Sequence, residues 1–252
     1  MSKIIAITNQ KGGVGKTTTS VNLACALFDA GKRVLLCDMD PQGNATSGMG
    51  VDKSAVTTTI YNVLIDGALV SDAVVTSDFG DVLPSNKELS GAGIELVSAE
   101  GREFVLKRAL AAARESYDFI IIDCPPSLEL LTLNSLCAAD SVLIPVQCEY
   151  FALEGLSDLM TTIRMIRKGL NKTLEVEGVL LTMYDARTNF SAQVAGEVKK
   201  VFGAKVYGVA IPRNVRLSEA PSHGQPAVRY DKLSRGSIAY VELAKDIIKR
   251  NK

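Results

Sequence analysis

Four apolar residues, Ile4-Ile5-Ala6-Ile7, lead through Thr8-Asn9-Gln10 into Lys11-Gly12-Gly13-Val14-Gly15-Lys16-Thr17-Thr18. No other stretch of the chain constrains its fold as strongly. A glycine-rich turn between a strand and a helix surrounds an anion with backbone N–H groups and a helix N-terminus. A lysine at the helix start, here Lys16, then reaches the β- and γ-phosphates of a nucleotide, and the next hydroxyl, Thr17, can bind Mg²⁺. The stretch departs from the GxxxxGK[ST] pattern at its first position, where Gln10 replaces glycine. A second lysine, Lys11, stands just ahead of the double glycine.

The rest of the chain alternates in a way that fits such a loop. Strand-like apolar runs are predicted at Lys3–Thr8, Arg33–Cys37, Asp118–Ile122, Ser141–Val146, Val179–Met183 and Val206–Ile211. Most are continuous rather than alternating, as strands buried on both faces are. Helical patterns lie between them at Thr17–Ala30, Glu103–Arg114, Leu153–Arg167, Ser191–Phe202 and Ser234–Arg250. A βαβ series of this kind predicts an α/β fold, a doubly wound and mostly parallel sheet flanked by helices. Residues 50 to 100 carry no readable pattern. No linker or internal repeat divides the 252 residues, and 47% apolar content suits one domain, residues 1–252, with a substantial core.

Composition excludes several classes. No apolar run nears the length of a membrane span, and the chain enters a strand at once with no signal-peptide pattern. Five cysteines without CxxC spacing argue for a reducing cytosol rather than a disulfide framework or structural zinc. Cys25 and Cys37 read as small core residues. The zero net charge hides an asymmetry: residues 187–252 hold 13 Lys/Arg against 5 Asp/Glu, and the first 186 hold 15 against 23. A basic quarter on an acidic body is either a polyanion-binding face or a solvated surface, and charge alone does not choose.

Ligands of doubly wound sheets bind at the carboxyl ends of strands, so the residues there carry the functional reading. After the second predicted strand come Asp38-Met39-Asp40-Pro41-Gln42-Gly43. Two residues apart on an extended chain, Asp38 and Asp40 would point to one side, where a carboxylate could orient an attacking water. After the third comes Asp123-Cys124-Pro125-Pro126, and an Asp ending an apolar run is where a phosphate-loop protein holds Mg²⁺, usually through water. Each Asp alone is an ordinary strand-end residue. The loop ahead of them, in the right order, makes the set specific.

These residues carry a resemblance. KGGVGKTT, DMDPQGNATSG at 38–48, IIIDCPPS at 120–127, PVQCEYFALEGL at 145–156, VLLTMYDARTN at 179–189 and IPRNVRLSEAPSHGQP at 211–226 closely resemble the Soj branch of the ParA/MinD family of deviant Walker A P-loop ATPases, end to end. The resemblance implies ATP and Mg²⁺ as ligands and a weak ATPase activity. It implies that Gly12, Gly13, Val14, Gly15, Lys16, Thr17 and Thr18 cradle the phosphates, with Thr17 also on Mg²⁺ and Asp123 on it through water. Asp40 would position the attacking water. Pro212 and Asn214 would line the adenine, largely by backbone. Lys11 would be the signature lysine that crosses a two-fold interface to the phosphates of the other subunit, so that ATP joins a homodimer and ADP does not. Glu149 and Tyr150 lie in a stretch that faces the partner subunit in the family.

The resemblance also gives the basic quarter a role. Soj-like proteins bind double-stranded DNA without sequence preference as ATP dimers, and affinity through phosphate neutralisation grows with the number of contacts that a dimer doubles. Arg187 and Arg216, supported by Lys199 and Lys200, are the candidate contacts. Sparse aromatics and no helix-turn-helix pattern argue against base readout. A ParB-type centromere-binding partner is implied as the activator of hydrolysis, and a cytoplasmic, nucleoid-associated location follows. With the loop starting at residue 10, the N-terminal DNA-reading domain of larger relatives is not expected.

Three alternatives compete with this reading. A MinD-like membrane-associated ATPase would need an amphipathic helix beyond the core, whereas the stripe Ile238, Val241, Ala244 and Ile248 is expected to pack inward, and no stable membrane association is expected. An iron–sulfur reductase would need differently spaced cysteines than Cys124 next to Asp123. A metabolic synthetase would show a second substrate signature, and the single histidine, His223, leaves no His-dependent triad.

Overall fold

A computed structural model describes residues 2–149 and 152–251 of the chain. Its strands are β1 (Lys3–Ile7), β2 (Val34–Asp38), β3 (Val75–Ser77), β4 (Gly80–Leu83), β5 (Phe119–Asp123), β6 (Ser141–Gln147) and β7 (Glu175–Thr182). They form one sheet in the order β3-β4-β2-β5-β1-β6-β7. Every neighbouring pair is parallel except β3 and β4. The helices are α1 (Lys16–Asp29), α2 (Asn44–Gly48), α3 (Ile60–Ile65), α4 (Val70–Ala73), α5 (Leu89–Glu95), α6 (Val105–Ala113), α7 (Leu130–Ala138), α8 (Ala152–Gly169), α9 (Asn189–Phe202), α10 (Val215–Glu219), α11 (Ala227–Tyr230) and α12 (Arg235–Arg250).

The continuous apolar runs have a direct cause. Alternate residues of a strand point to opposite faces, and both faces here are covered. Ile4, Ala6, Leu35, Cys37, Ile120, Ile122, Val142 and Ile144 enter the core beneath α3 to α9. Ile5, Ile7, Val34, Leu36, Phe119, Ile121 and Leu143 enter the core beneath α1, α11 and α12. The five cysteines are all buried and unpaired, among them Cys25 and Cys37 in the second and first of these cores. None of the described helices is long and apolar enough to cross a membrane.

Two sequence expectations change. The predicted strand Val206–Ile211 is not a strand. Tyr207 N–H donates to Val179 O (2.9 Å) and Ile211 N–H to Leu181 O (2.8 Å), so five residues span what three residues of β7 span. The surplus bends away from the edge after Tyr207, and only isolated bridges at Val206 and Pro212 remain. The second change is in α12. Its buried face is Gly236, Ser237, Ala239, Tyr240, Leu243, Ala244 and Ile247. Of the stripe expected to pack inward, Ile238 (46% exposed) and Val241 (38%) lie on the solvent side, because the helix docks on α1 through the row centred on Tyr240 and Leu243.

Candidate active site

Parallel register gathers the carboxyl ends of β1, β2, β5, β6 and β7 on one edge of the sheet. Ile7 lies beside Asp123, and Asp123 beside Asp38, so the two acidic strand ends are neighbours. The loop from Asn9 to Gly15 rises from β1 at the centre of that edge. Asn9 shapes it: its Nδ2 donates to Pro145 O (2.8 Å) and its Oδ1 accepts from Lys11 N–H (3.0 Å). Thr182 at the end of β7 donates Oγ1–H to Val14 O (2.8 Å). Gly13 and Gly15 have φ of 73° and 89°, the left-handed region where a side chain would strain the backbone.

Helix α1 begins at Lys16 with Gly15 as a cap that offers no side chain, and no acidic residue lies in its first turn. Its first-turn N–H groups and positive dipole end therefore face the loop interior. Lys16 is buried, 7% exposed, and its Nζ donates to Lys11 O (3.1 Å). Burial pulls its pKa below the ordinary lysine value, against the opposing pull chiefly of Asp123. A buried ammonium at an uncapped helix start is the environment a polyphosphate completes.

Asp123 is fully buried and accepts from Thr17 Oγ1 (2.8 Å) and Ser20 Oγ (2.7 Å). Burial, then the neighbouring Asp38 charge, push its carboxyl well above the ordinary range, while those two hydroxyls act the other way. A positive ion beside Thr17 and Asp123 reverses such a penalty. Both supply the oxygen donors that Mg²⁺ takes. Among the described residues no cluster of three or more His, Cys, Asp or Glu forms a protein-only metal cage. A metal here would complete its shell from phosphate and water, as Mg²⁺ does.

Asp38 and Asp40 have different surroundings. Asp38 is fully buried; its Oδ2 accepts from Thr46 N–H and Thr46 Oγ1, both at 2.8 Å, and its Oδ1 from Asp40 N–H (3.1 Å). Asp40 is half-buried and its Oδ1 accepts from Gln42 N–H (2.9 Å). Lys16 feels the carboxylates of both Asp123 and Asp40. Asp38 is thus committed to holding its own loop, and Asp40 is the acid of the pair that remains presented to the site.

Lys11 lies on the outer limb of the loop. Its Nζ is 2.7 Å from Glu149 Oε2 in the same chain, and Gln147 Nε2 donates to the other carboxylate oxygen. Tyr150 lies outside the described residues. On the other side of the loop, Gly15, Thr18, Thr182, Met183, Ile211, Pro212, Asn214, Val215, Leu217 and Tyr240 are among the residues lining a cavity of about 410 Å³. Met183, at its wall, holds φ of 50°, the only left-handed non-glycine among the described residues. Asn214 Oδ1 accepts from Arg216 N–H (2.8 Å) and caps α10, so its side chain is occupied by its own backbone.

A family model described as an AAA domain matches residues 2–176. Over 249 residues the chain is 61% identical to the sporulation initiation inhibitor protein Soj of Bacillus subtilis (strain 168), covering 98% of each. The chain belongs to the Soj branch of the ParA/MinD family. It is also 47% identical over 253 residues to the chromosome-partitioning ATPase Soj of Treponema pallidum (strain Nichols), covering 100% of this chain and 99% of that one. Its fold is similar to the crystal structure of cobyrinic acid a,c-diamide synthase from Mycobacterium smegmatis with bound ATP analogue and magnesium. That match has a TM-score of 0.90 and 40% identity, over 100% of this chain and 96% of the other.

In this Soj-family chain the basic residues do not form one cluster. Arg187, in the loop after β7, is paired with Asp185 (2.8 Å) and its side chain is 88% exposed. Arg216, on α10, is paired with Glu219 (2.7 Å) and Asp231 (3.2 Å). The two segments adjoin, since Tyr184 bridges Pro212 and Arg213 N–H donates to Tyr184 O (3.3 Å). Lys199 and Lys200 are in the last turn of α9. At 1.5 Å per residue they stand about 15 Å along that helix from its start near Arg187. Lys200 is paired with Glu197 (2.6 Å).

The sequence expectations do not include several site residues: Asn9, Ser20, Thr46, Thr182, and Ser85, whose N–H donates to Thr46 Oγ1 (2.9 Å). Ser20 had a signal, because Thr17 and Ser20 at i, i+3 share one helix face toward Asp123. Ser85 had none.

Proposed function

We propose that the chain is a partition ATPase that binds ATP with Mg²⁺, closes into a two-fold dimer over the nucleotide, and grips DNA through its basic face in that state. The observation that carries this reading is the site itself. Lys11 and Lys16 flank one loop, the Thr17–Asp123 pair lies beside it at the end of β5, and Asp40, two residues beyond the end of β2, adds its charge to the field at Lys16. Lys16 and the first-turn N–H groups of α1 would bind the β- and γ-phosphates. Thr17 directly, and Asp123 through water, would hold Mg²⁺, which neutralises developing phosphate charge. Asp40 would hold the attacking water in line. Backbone around Pro212 and Asn214 would receive the adenine in the cavity beside Gly15.

Lys11, on the outer limb, would reach the phosphates held by a second copy of the chain, so that the γ-phosphate becomes an anion shared by two subunits. The ligand then shifts the monomer–dimer equilibrium by its differential affinity for the two states. Arg187, Lys200 and Arg216 are paired with exposed or partly exposed carboxylates, a kind of contact worth about 0.2–1 kcal/mol. DNA phosphates could displace such partners with little opposition. Hydrolysis, stimulated by a ParB-type partner, would return the protein to a form that releases DNA.

The test is DNA binding and molar mass, by gel shift and light scattering, with ATP, ADP and no nucleotide. Dimer formation and DNA retention with ATP alone support the reading. DNA affinity and mass that ignore the nucleotide would overturn it.

A further inference from the structure

The loop that carries Asp40 is tied down by a residue from the unreadable middle of the sequence. Ser85, fully buried just after β4, donates Oγ–H to Asp40 O (2.8 Å) and N–H to Thr46 Oγ1 (2.9 Å). Thr46 Oγ1–H donates to Asp38 Oδ2 (2.8 Å), and Asp38 Oδ1 accepts the Asp40 N–H (3.1 Å). Both peptide groups of Asp40 are thus held, its N–H by Asp38 and its C=O by Ser85 Oγ together with Gly43 N–H (2.9 Å) of its own loop, so Ser85 is the only tie from the Asp40 carbonyl to a distant segment among the described residues. The fit around Ser85 is close: a Cβ on Gly43 would stand 2.6 Å from Ser85 O, at a φ of +61°. The Ser85 segment is itself anchored, because Ile60 N–H donates to the Pro84 carbonyl (2.8 Å).

The Asp40 side chain has no comparable support. Its hydrogen bond among the described residues is from Gln42 N–H, two residues along the same loop. The direction of its carboxylate is therefore set by where its backbone is held. We propose that Ser85, with Thr46 as its relay, is a positioning residue for ATP hydrolysis. It fixes the Asp40 backbone so that the carboxylate meets the attacking water. This rests on the reading of Asp40 as the residue that holds that water. It gives the stretch between residues 50 and 100 a place in the chemistry. It also separates two functions: the Lys11–Thr18 loop binds nucleotide, and the Ser85 network governs the rate of its hydrolysis.

A displacement on the order of 1 Å at a reacting centre costs up to about 10²-fold in rate. Loss of one anchor of three, the Ser85 bond, is expected to lower kcat roughly 10-fold on the same basis. The experiment measures single-turnover ATP hydrolysis, nucleotide affinity with a fluorescent ATP analogue, and thermal unfolding for Ser85→Ala, Thr46→Val and Thr46→Ser. Ser85→Ala and Thr46→Val should lose kcat with nucleotide affinity unchanged, and Thr46→Ser, which keeps the hydroxyl relay, should stay near wild type. Wild-type turnover in Ser85→Ala overturns the proposal, and so does equal loss of turnover and nucleotide affinity, which would mark general loosening. If Ser85→Ala does not fold, the Thr46 pair decides: equal rates for Thr46→Val and Thr46→Ser overturn the relay. Asp40→Asn is measured alongside. Normal turnover there removes the reading of Asp40 and the proposal with it, whereas slow Asp40→Asn beside fast Ser85→Ala removes the positioning role alone.

Discussion

Replacing Lys11 by alanine separates two attractions on one ammonium. Within the chain, Lys11 and Glu149 are 2.7 Å apart, with side chains 38% and 43% exposed. A pair that open to water contributes about 0.2–1 kcal/mol. A charge-assisted bond from the same ammonium to a phosphate of a second subunit is worth about 1.5–3 kcal/mol. Two-fold symmetry doubles both: about 3–6 kcal/mol gained per dimer, against about 0.4–2 kcal/mol to release two Glu149 pairs. The trans contact wins. Its loss in Lys11→Ala, a net of about 1–5.6 kcal/mol, should raise the ATP-dependent dimer dissociation constant roughly 5- to 10,000-fold, while nucleotide binding by Lys16 and the α1 start persists. Glu149→Gln, which frees Lys11, should tighten the dimer by roughly 2- to 30-fold. Sedimentation across a concentration series with a non-hydrolysable ATP analogue measures both constants. A wild-type dimer constant in Lys11→Ala, or a looser dimer in Glu149→Gln, would refute the reasoning.

Asp40→Ala should bind ATP and dimerise but hydrolyse at least tenfold more slowly, remaining on DNA; phosphate release at the wild-type rate would remove it from catalysis. Arg216→Ala should keep the ATP dimer and its stability within about 1 kcal/mol, since its pairs with Glu219 and Asp231 are exposed. Its DNA affinity should fall, and the slope of log affinity against log salt should flatten by about 2 per dimer; unaltered slopes would place it off the DNA face. Glu177 tests the other end of the sheet. Burial pushes its carboxyl up, but hydrogen bonds from Ser141 (2.7 Å) and Asn251 (2.9 Å), with Lys3 at 3.3 Å, bring it below its ordinary value of 4.5. A carboxylate with a depressed folded pKa contributes stability above its unfolded value and loses it as pH falls through the folded one. Glu177→Gln should therefore show a flatter loss of melting temperature below about pH 4.5, and superimposable acid limbs would contradict this.

What could be read from the sequence was whatever local pattern alone determines. Strands β1, β2, β5 and β6 stand out because both their faces are buried, which forces continuous Ile, Val and Leu. The phosphate loop stands out because glycine at positive φ and lysine at a helix start are demanded by the backbone, not by distant residues. Asp123 stands out as the last residue of a strand, and Asp40 as an acid two residues past one. The edge failed for a physical reason: Val206–Ile211 has strand composition, but its register on β7 needs two fewer residues than the chain supplies. Helix α12 failed because its stripe was chosen by apolarity alone, whereas the face that packs is set by Tyr240 meeting Thr19 of α1 and Ser237 meeting the Ala227 carbonyl of α11. The stretch from 50 to 100 folds into β3, β4 and the short α3 to α5, each too brief to establish a period. Ser85 therefore has no signature: its role comes from lying opposite Asp40 and Thr46, across a separation in sequence of about forty residues.

The two ends of the parallel sheet are built on opposite electrostatic plans. At the amino ends the acids have matched partners: Asp140 binds Arg114 (2.6 Å) and the Ile4 N–H (2.8 Å), Glu177 binds Lys3, and Asp118 binds Arg33 (2.9 Å). These groups gain from folding as it stands. At the carboxyl ends, Asp38 and Asp123 are buried side by side, Lys16 is buried with its pKa lowered, and the α1 N-terminus has no capping side chain. Burying like charges and an under-compensated ammonium costs stability. A polyphosphate with a divalent cation supplies the missing partners for each. The same sheet can hold both plans because parallel strands put all their carboxyl ends on one edge, so the cost is confined to the place where a ligand can offset it. A variant that removes the charge locally, Asp38→Asn, keeps one acceptor oxygen, for Thr46 N–H or for Asp40 N–H, and turns its NH2 toward the other, so in the free protein the relief of charge is partly offset. It should shrink the rise in melting temperature on adding ATP and Mg²⁺, because less remains for them to compensate. An unchanged ligand-induced rise would mean that the buried Asp38 charge plays no part in nucleotide affinity.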